Sequence, residues 1–289
     1  MTAQEFDVVV VGSGAAGMVA ALTAAHQGLS AVVVEKAPHF GGSTARSGGG
    51  VWIPNNEILK RDGVTDTKEA ARTYLHTIIG DAVEPERIDT YLERGPEMLS
   101  FVLRNTPLKM CWVPGYSDYY PETAGGRPGG RSIEPKPFDA KKLGPDEQYL
   151  EPAYGKVPLN VVVMQQDYVR LNQLRRHPSG VLRSLKVGAR TMWASARGKN
   201  LVGMGRALIA PLRIGLRQAG VPVLLNTALT DLYVEDGVVR GIYVRDTTGP
   251  EAADPQLIRA RRGVILGSGG FEHNEQMRIK YQRAPITTE

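Results

Sequence analysis

The stretch that decides the fold is residues 6–36, FDVVVVGSGAAGMVAALTAAHQGLSAVVVEK. Phe6–Val11 reads as a strand, and its valine run suits burial on both faces of a parallel sheet. The alanine-rich segment after it reads as a helix, with Gly28 where a C-cap glycine belongs. Leu29–Lys36 reads as a second strand, which completes a βαβ unit. At its first turn, Gly12-Ser13-Gly14-Ala15-Ala16-Gly17 forms a GxGxxG pattern, and Glu35 closes the second strand. A plain turn needs none of this context, whereas a dinucleotide fingerprint needs all of it. Gly12 permits the tight turn, Gly14 admits a pyrophosphate and Gly17 lets helix and strand pack. The helix N-terminus offers N–H donors to phosphate. Glu35 is expected to accept hydrogen bonds from an adenosine ribose, which disfavours NADP.

The next stretch, EKAPHFGGSTARSGGGVW (residues 35–52), separates NAD from FAD. Five of the ten residues from Gly41 to Gly50 are glycine. Backbone passing close to a flavin or its pyrophosphate arm has no room for side chains. Lys36, Gly42, Ser43, Thr44, Ser47, Gly48, Gly49 and Gly50 are therefore cofactor candidates. A flexible glycine loop is the bland alternative.

Beyond this unit, residues 67–80 and 85–105 show helical spacing, with Pro85 near a helix start and Pro96 expected in the first turn of another helix. Residues 107–160, rich in Pro, Gly and Tyr, read as a long functional loop. A helix from Gln165 is expected to end at the Pro and Gly of HPSG (residues 177–180), and another runs from about Gly203 to Ala219. Residues 228–246 read as a hairpin about Glu235-Asp236-Gly237, and Gly263–Leu266 as an apolar strand entering a second glycine cluster. The fold class is α/β: a Rossmann-like parallel sheet with an inserted antiparallel β-meander.

Composition narrows the function. The chain has 289 residues and a net charge of +5, with no Asp or Glu between Asp167 and Asp231. That run lacks the aromatic interleaving of a single-strand binder, so no nucleic-acid partner is expected. A solvated surface is the favoured reading, with loose membrane association as the alternative. Cys111 is the only cysteine, which excludes an intrachain disulfide, and beside Met110 and Trp112 it reads as packing. Glu5 and Asp7 argue against a signal peptide, and arginines interrupt the most apolar helix, so a cytoplasmic location is expected. No metal site is expected.

VVVVGSGAAGMVAALTAA (8–25), VVVEKAPHFGGSTARSGGGVWIPNN (32–56) and GVILGSGGFEHN (263–274) resemble the FAD-binding family of fumarate reductases and flavin-dependent ketosteroid dehydrogenases. WVPGYSDYYPE (112–122), GGRPGGRSIEPKPFD (125–139) and MGRALIAPL (204–212) bring the chain close to the members that dehydrogenate ring A of 3-ketosteroids between C1 and C2. The resemblance runs over essentially the whole chain. It implies an oxidoreductase with FAD as cofactor and an external electron acceptor. A tyrosinate takes the C2 proton, hydride leaves C1 for flavin N5, and a second tyrosine with a backbone N–H polarises the C3 carbonyl. Tyr119 matches a third tyrosine that supports the base, with Tyr120 its neighbour. Ala228 matches the position whose backbone meets adenine, and Gly267, Ser268, Gly269 and Gly270 match the second glycine cluster under the dinucleotide.

The resemblance also carries a departure. Family members run to about twice this length, and the base, the carbonyl-polarising pair and a C-terminal flavin-closing segment are expected beyond Glu289. Residues 1–275 are thus expected to form the FAD-binding domain and 276–289 to begin a substrate-capping domain that is largely absent. The chain is expected to be a fragment, inactive by itself: a truncated gene product, a partial sequence, or one half of a split gene whose other half is supplied by a separate chain. A ketosteroid 4-dehydrogenase, a fumarate-reductase-like flavoprotein and a non-catalytic FAD-binding remnant are the alternative readings.

Overall fold

Valine builds the centre of the molecule. In the computed structural model, which describes residues 4–153, 161–172, 177–249 and 254–284, Val8–Val11 of β1 (Gln4–Val11) lie parallel to Ala31–Val34 of β2 (Ala31–Val34). α1 (Ala15–His26) connects them. Alternate strand residues serve two cores. Val8, Val10, Ala31 and Val33 face α1, and Val9, Val11, Val32 and Val34 pack against the meander described below. Full burial of each such valine side chain contributes roughly 1.5–3 kcal/mol.

After β2 come the short α2 (Gly42–Arg46), β3 (Val51–Trp52) and α3 (Glu57–Arg61). Asn56 caps α3, its Oδ1 accepting from Ile58 and Leu59 N–H. α4 (Lys68–Ile79) packs on α5 (Pro85–Asn105). Pro85 opens α5 as expected, but Pro96 starts no new helix: it lies inside α5. Gly95 precedes it, so the Cβ that normally collides with a proline ring is missing there.

The expected loop over 107–160 is more ordered than its composition suggests. It holds β4 (Met110–Trp112), β5 (Ser132–Pro135), β6 (Phe138–Asp139) and a 3-10 stretch from Ala140 to Tyr149. β5 sits between β3 and β4 in a small antiparallel sheet. Residues 154–160 of the expected loop lie outside the described residues.

α6 (Gln165–Leu171) is shorter than the expected helix, whose residues 173–176 are not described. HPSG opens a helix instead of ending one. Pro178 takes the first turn of α7 (Pro178–Ala196), where its missing N–H costs nothing, and His177 Nδ1 accepts from Ser179 N–H at 3.2 Å. β7 (Leu201–Val202) pairs with β6, and α8 (Met204–Gln218) packs on α1 and α2.

β8 (Val223–Leu224), β9 (Thr227–Glu235), β10 (Val238–Asp246) and β11 (Gln256–Leu266) finish the main sheet, in the order β8-β2-β1-β11-β10-β9. The strands from β8 to β11 are parallel, and β10 and β9 continue antiparallel. Asp236 and Gly237 form the two-residue turn between β9 and β10, both at positive φ, which matches the right-handed twist of a hairpin. The meander curls back over the sheet. Thr227 N–H donates to Glu35 O at 2.8 Å, so β9 begins beside the end of β2. α9 (Glu275–Tyr281) follows, with no buried residue.

Candidate cofactor and substrate site

The two glycine clusters meet at the carboxyl ends of β1 and β11. A Cβ on Gly12 (φ +99°) would lie 2.3 Å from Gly267 O, and one on Gly17 would lie 2.0 Å from Gly12 O. Gly267 N–H donates to Val11 O at 2.7 Å, and Gly12 N–H to Val34 O at 2.8 Å. Gly12 and Gly17 are therefore required by the fold itself. Gly14 differs: a Cβ there would meet only Thr44 Oγ1, at 3.5 Å, so packing within the described residues does not require it. It precedes α1, whose first N–H groups have no intrahelical acceptor. Ala15 N–H reaches Thr44 Oγ1 at 3.2 Å, and Ala16 stands exposed beside it.

Ser13 corrects the sequence reading. It is 0% exposed, so it has no surface to offer a cofactor. Its N–H and hydroxyl both donate to Glu35 Oε2, at 2.9 and 2.6 Å, and its oxygen accepts from Gly41 N–H at 3.0 Å. Glu35 Oε1 accepts from Ala37 N–H at 3.0 Å. Ser13 thus fixes the Glu35 carboxylate and the start of the glycine-rich segment in one position. Glu35 retains a small exposed area and spare lone pairs. Ala228 follows Thr227, which places it at this same end of β2.

Packing within the fold explains part of the bareness from Gly41 to Gly50. Gly49 (φ +71°) would put a Cβ 2.6 Å from Met204 C, and Gly205 would put one 1.8 Å from Thr44 O, so α2 and α8 touch backbone to backbone. Ser47 O accepts from Gly205 N–H at 3.0 Å, and Ser47 Oγ accepts from Gly49 N–H at 3.0 Å. Gly42 and Gly48 meet nothing so close. Ser43 is exposed and reaches Glu272 Oε1 at 3.4 Å, while Lys36, Ser268 and Gly269 are exposed at the mouth of the cluster.

A cavity of about 410 Å³ opens against this segment. Ser47, Gly48, Gly49 and Gly50 form one side, and Trp52, Tyr74, Leu75, Ile78, Tyr116 and Tyr119 form much of the rest. Tyr119 is 84% exposed. Tyr120 and Trp112, which the sequence groups with it, do not line the cavity. Among the described residues, the only charged lining residue is Asp118, and both its carboxylate oxygens are engaged: Oδ1 accepts from Trp52 Nε1 at 2.9 Å, and Oδ2 accepts from Arg127 N–H at 3.0 Å and from the Arg131 guanidinium. Arg131 is 0% exposed, reaches Asp66 at 3.1 Å and lies 5.7 Å from the Tyr74 ring centroid. This buried ionic cluster anchors the loop that presents Tyr119.

Gln165 carries no sequence signal, yet it lines the cavity at the start of α6. Its backbone N–H is held at 2.6 Å by Glu134, which also accepts from Gln166 N–H at 3.1 Å. Burial pushes the Glu134 carboxyl above its ordinary value, against these two N–H groups. Gln165 Oε1 is buried, has no hydrogen-bond partner among the described residues, and stands 2.9 Å from where a Gly50 Cβ would be. An orphaned acceptor over bare glycine, together with the open face at Gly14, fits a bound planar group carrying a donor. Trp52, Tyr74 and Ser132 were likewise silent in the sequence.

Comparison with known proteins agrees with this geometry. The family described as FAD binding domain matches residues 7–288. The chain is 84% identical over 289 residues to 3-oxosteroid 1-dehydrogenase of Mycobacterium tuberculosis (strain ATCC 25618 / H37Rv), covering 100% of this chain and 51% of that protein. It is 83% identical to the Mycolicibacterium smegmatis 3-oxosteroid 1-dehydrogenase, with the same coverage. The crystal structure of 3-ketosteroid delta1-dehydrogenase from Sterolibacterium denitrificans, in complex with 1,4-androstadiene-3,17-dione, superposes with a TM-score of 0.85 at 36% identity, covering 98% of this chain and 51% of that one. The chain spans about half the length of the curated relatives it matches. Among the described residues, no helix is long and apolar enough to cross a membrane.

Proposed function

This chain belongs to the FAD binding domain family, and from that premise we propose that it supplies the FAD cradle and one wall of the steroid site of a 3-oxosteroid 1-dehydrogenase. The observation that carries the reading is the cavity between Gly48–Gly50 and the aromatic group of Trp52, Tyr74, Tyr116 and Tyr119. It offers a flat apolar substrate two kinds of surface: bare backbone on the cofactor side and rings on the other. No free cation lines it among the described residues, which disfavours a dicarboxylate substrate.

The cofactor contacts follow from position. Gly12, Gly14, Ala15 and Ala16 present the α1 N-terminus to the pyrophosphate. Glu35, with Lys36 beside it, takes the adenosine ribose, and Ala228 lies against the adenine. Gly42, Ser43, Thr44 and Ser47–Gly50 run along the ribityl arm and the ring, with Gly267, Ser268 and Gly269 below. FAD bound there supplies a two-electron acceptor for hydride. The chain's own residues exclude water and orient the steroid. Tyr119 is assigned to support of the base that removes the C2 proton, the base itself lying in sequence other than these 289 residues. We take the cofactor domain as residues 1–275; α9, from Glu275, has no buried residue. An external electron acceptor and a cytoplasmic location complete the reading.

The test is flavin retention by the purified chain after desalting, read by absorbance and fluorescence quenching. Stoichiometric flavin supports the cradle. A folded chain that retains none, even with excess FAD, overturns it.

A further inference from the structure

Tyr91 of α5 grips one residue twice. It is 42% exposed and does not line the cavity. Its ring lies parallel to the Trp52 indole, 6° between planes and 6.4 Å between centroids, and its hydroxyl donates to Trp52 O. Trp52, two residues after Gly50, does line the cavity. The rest of the indole is equally committed. Its Nε1 donates to Asp118 Oδ1 at 2.9 Å, the Arg131 guanidinium lies 5.9 Å from its ring centroid, and the Tyr74 ring lies 6.0 Å away at 40°. Tyr74 and Asp118 share the cavity wall, and Arg131 is fully buried. Tyr91 differs from all three: it is part of neither the packed cluster beneath Trp52 nor the wall. A side chain that must be fixed when a ligand arrives costs affinity, and a ring fixed beforehand does not.

We propose that Tyr91 is a positioning residue for the substrate: it holds the Trp52 ring in the orientation in which a flat steroid packs beside Gly50. The parallel stack opposes rotation of the indole. The hydroxyl fixes the backbone of β3 just after the glycine wall. Tyr91 itself touches neither steroid nor cofactor and acts only through Trp52. The inference rests on the reading of this cavity as a steroid site.

The experiment compares the purified chain with Tyr91→Phe, which keeps the stack, and Tyr91→Leu, which removes stack and hydroxyl. The first readout is acrylamide quenching of the Trp52 emission in the flavin-free chain, taken as the difference from the same chain carrying Trp52→Phe. The second is titration of the FAD-loaded chain with 1,4-androstadiene-3,17-dione. Tyr91→Leu should make Trp52 more quenchable and raise the steroid Kd roughly 2- to 12-fold, with FAD affinity unchanged. Tyr91→Phe should recover most of both losses. Tyr91 is exposed, so circular dichroism should be unchanged. Unchanged quenching or unchanged steroid affinity in the folded Tyr91→Leu chain, or an equal loss of FAD affinity, overturns the proposal and leaves the steroid reading standing. A parent chain that binds no steroid overturns that reading, and the proposal falls with it.

Discussion

Asp118 and Arg131 form an ion pair in which neither side chain exposes any surface, directly beside the most exposed tyrosine of the cavity wall. Arg131 also reaches Asp66 and the carbonyl of Gly125, at 3.1 and 2.9 Å. Removing the guanidinium leaves the buried Asp118 carboxylate without a cation and Asp66 with Arg127 alone, at 3.8 Å. Arg131→Met is therefore expected to destabilise the chain by about 3–5 kcal/mol. Urea unfolding measures it. A loss below about 1 kcal/mol would mean that the cluster is not what holds the Tyr119 loop.

The glycines beside the cavity divide into those the fold needs and those a ligand needs. Gly49→Val combines a positive φ with a Cβ 2.6 Å from Met204 C, so it should cost more than about 1 kcal/mol of stability. Gly48→Ala meets nothing nearer than Gln165 Oε1 at 3.9 Å, so its stability should change by less than about 0.5 kcal/mol. Its methyl should nevertheless weaken FAD binding roughly 5- to 30-fold, the cost of overpacking a close contact. Paired melts and flavin titrations separate the two. Equal FAD affinity in Gly48→Ala and the parent chain would remove Gly48 from the cofactor face.

The βαβ unit, the hairpin and both glycine clusters were legible because each rests on local rules: valine runs, a helix start and a two-residue turn requiring positive φ. What was not legible depends on contacts distant in sequence. Nothing around Ser13 shows that Glu35 consumes its hydroxyl, and nothing around Gln165 shows that Glu134 seats it over Gly50. Pro96 and Pro178 mislead in opposite directions, because a proline signals a boundary without saying on which side the helix lies, or whether a preceding glycine lets it continue. Residues 107–160 read as a loop because the strands in their described part are only two to four residues long, shorter than any periodicity can reveal.

Cys111 gives a pH prediction. Burial, helped by the Glu134 carboxylate, pushes its thiol from the ordinary 9.0 up to about 11. The folded chain therefore holds this proton more tightly than the unfolded chain does. The group's stabilising contribution is complete below pH 9.0 and is lost as pH rises toward about 11. Iodoacetamide labelling of the native chain should be slow at pH 8 and rise with a midpoint near 11, while the urea-unfolded chain labels with an ordinary midpoint. A native midpoint at or below 9.0 would mark the thiol as activated instead of packed.

Gln165 offers the sharpest separation of fold from ligand. Among the described residues its Oε1 is buried with no partner, and a buried acceptor left unpaired costs stability. Gln165→Leu keeps the volume and removes the orphan, and the free chain should become as stable or slightly more so. The backbone N–H that Glu134 holds is untouched. If the acceptor waits for a ligand donor beside Gly50, the same change should weaken FAD by about 0.5–1.5 kcal/mol, or roughly 2- to 12-fold. Melting without flavin and flavin titration of both chains make the comparison. A stabilised chain with weakened flavin binding assigns the amide to the cofactor. A destabilised chain with unchanged flavin binding assigns it to the wall, where Oε1 must then find its partner in the chain itself.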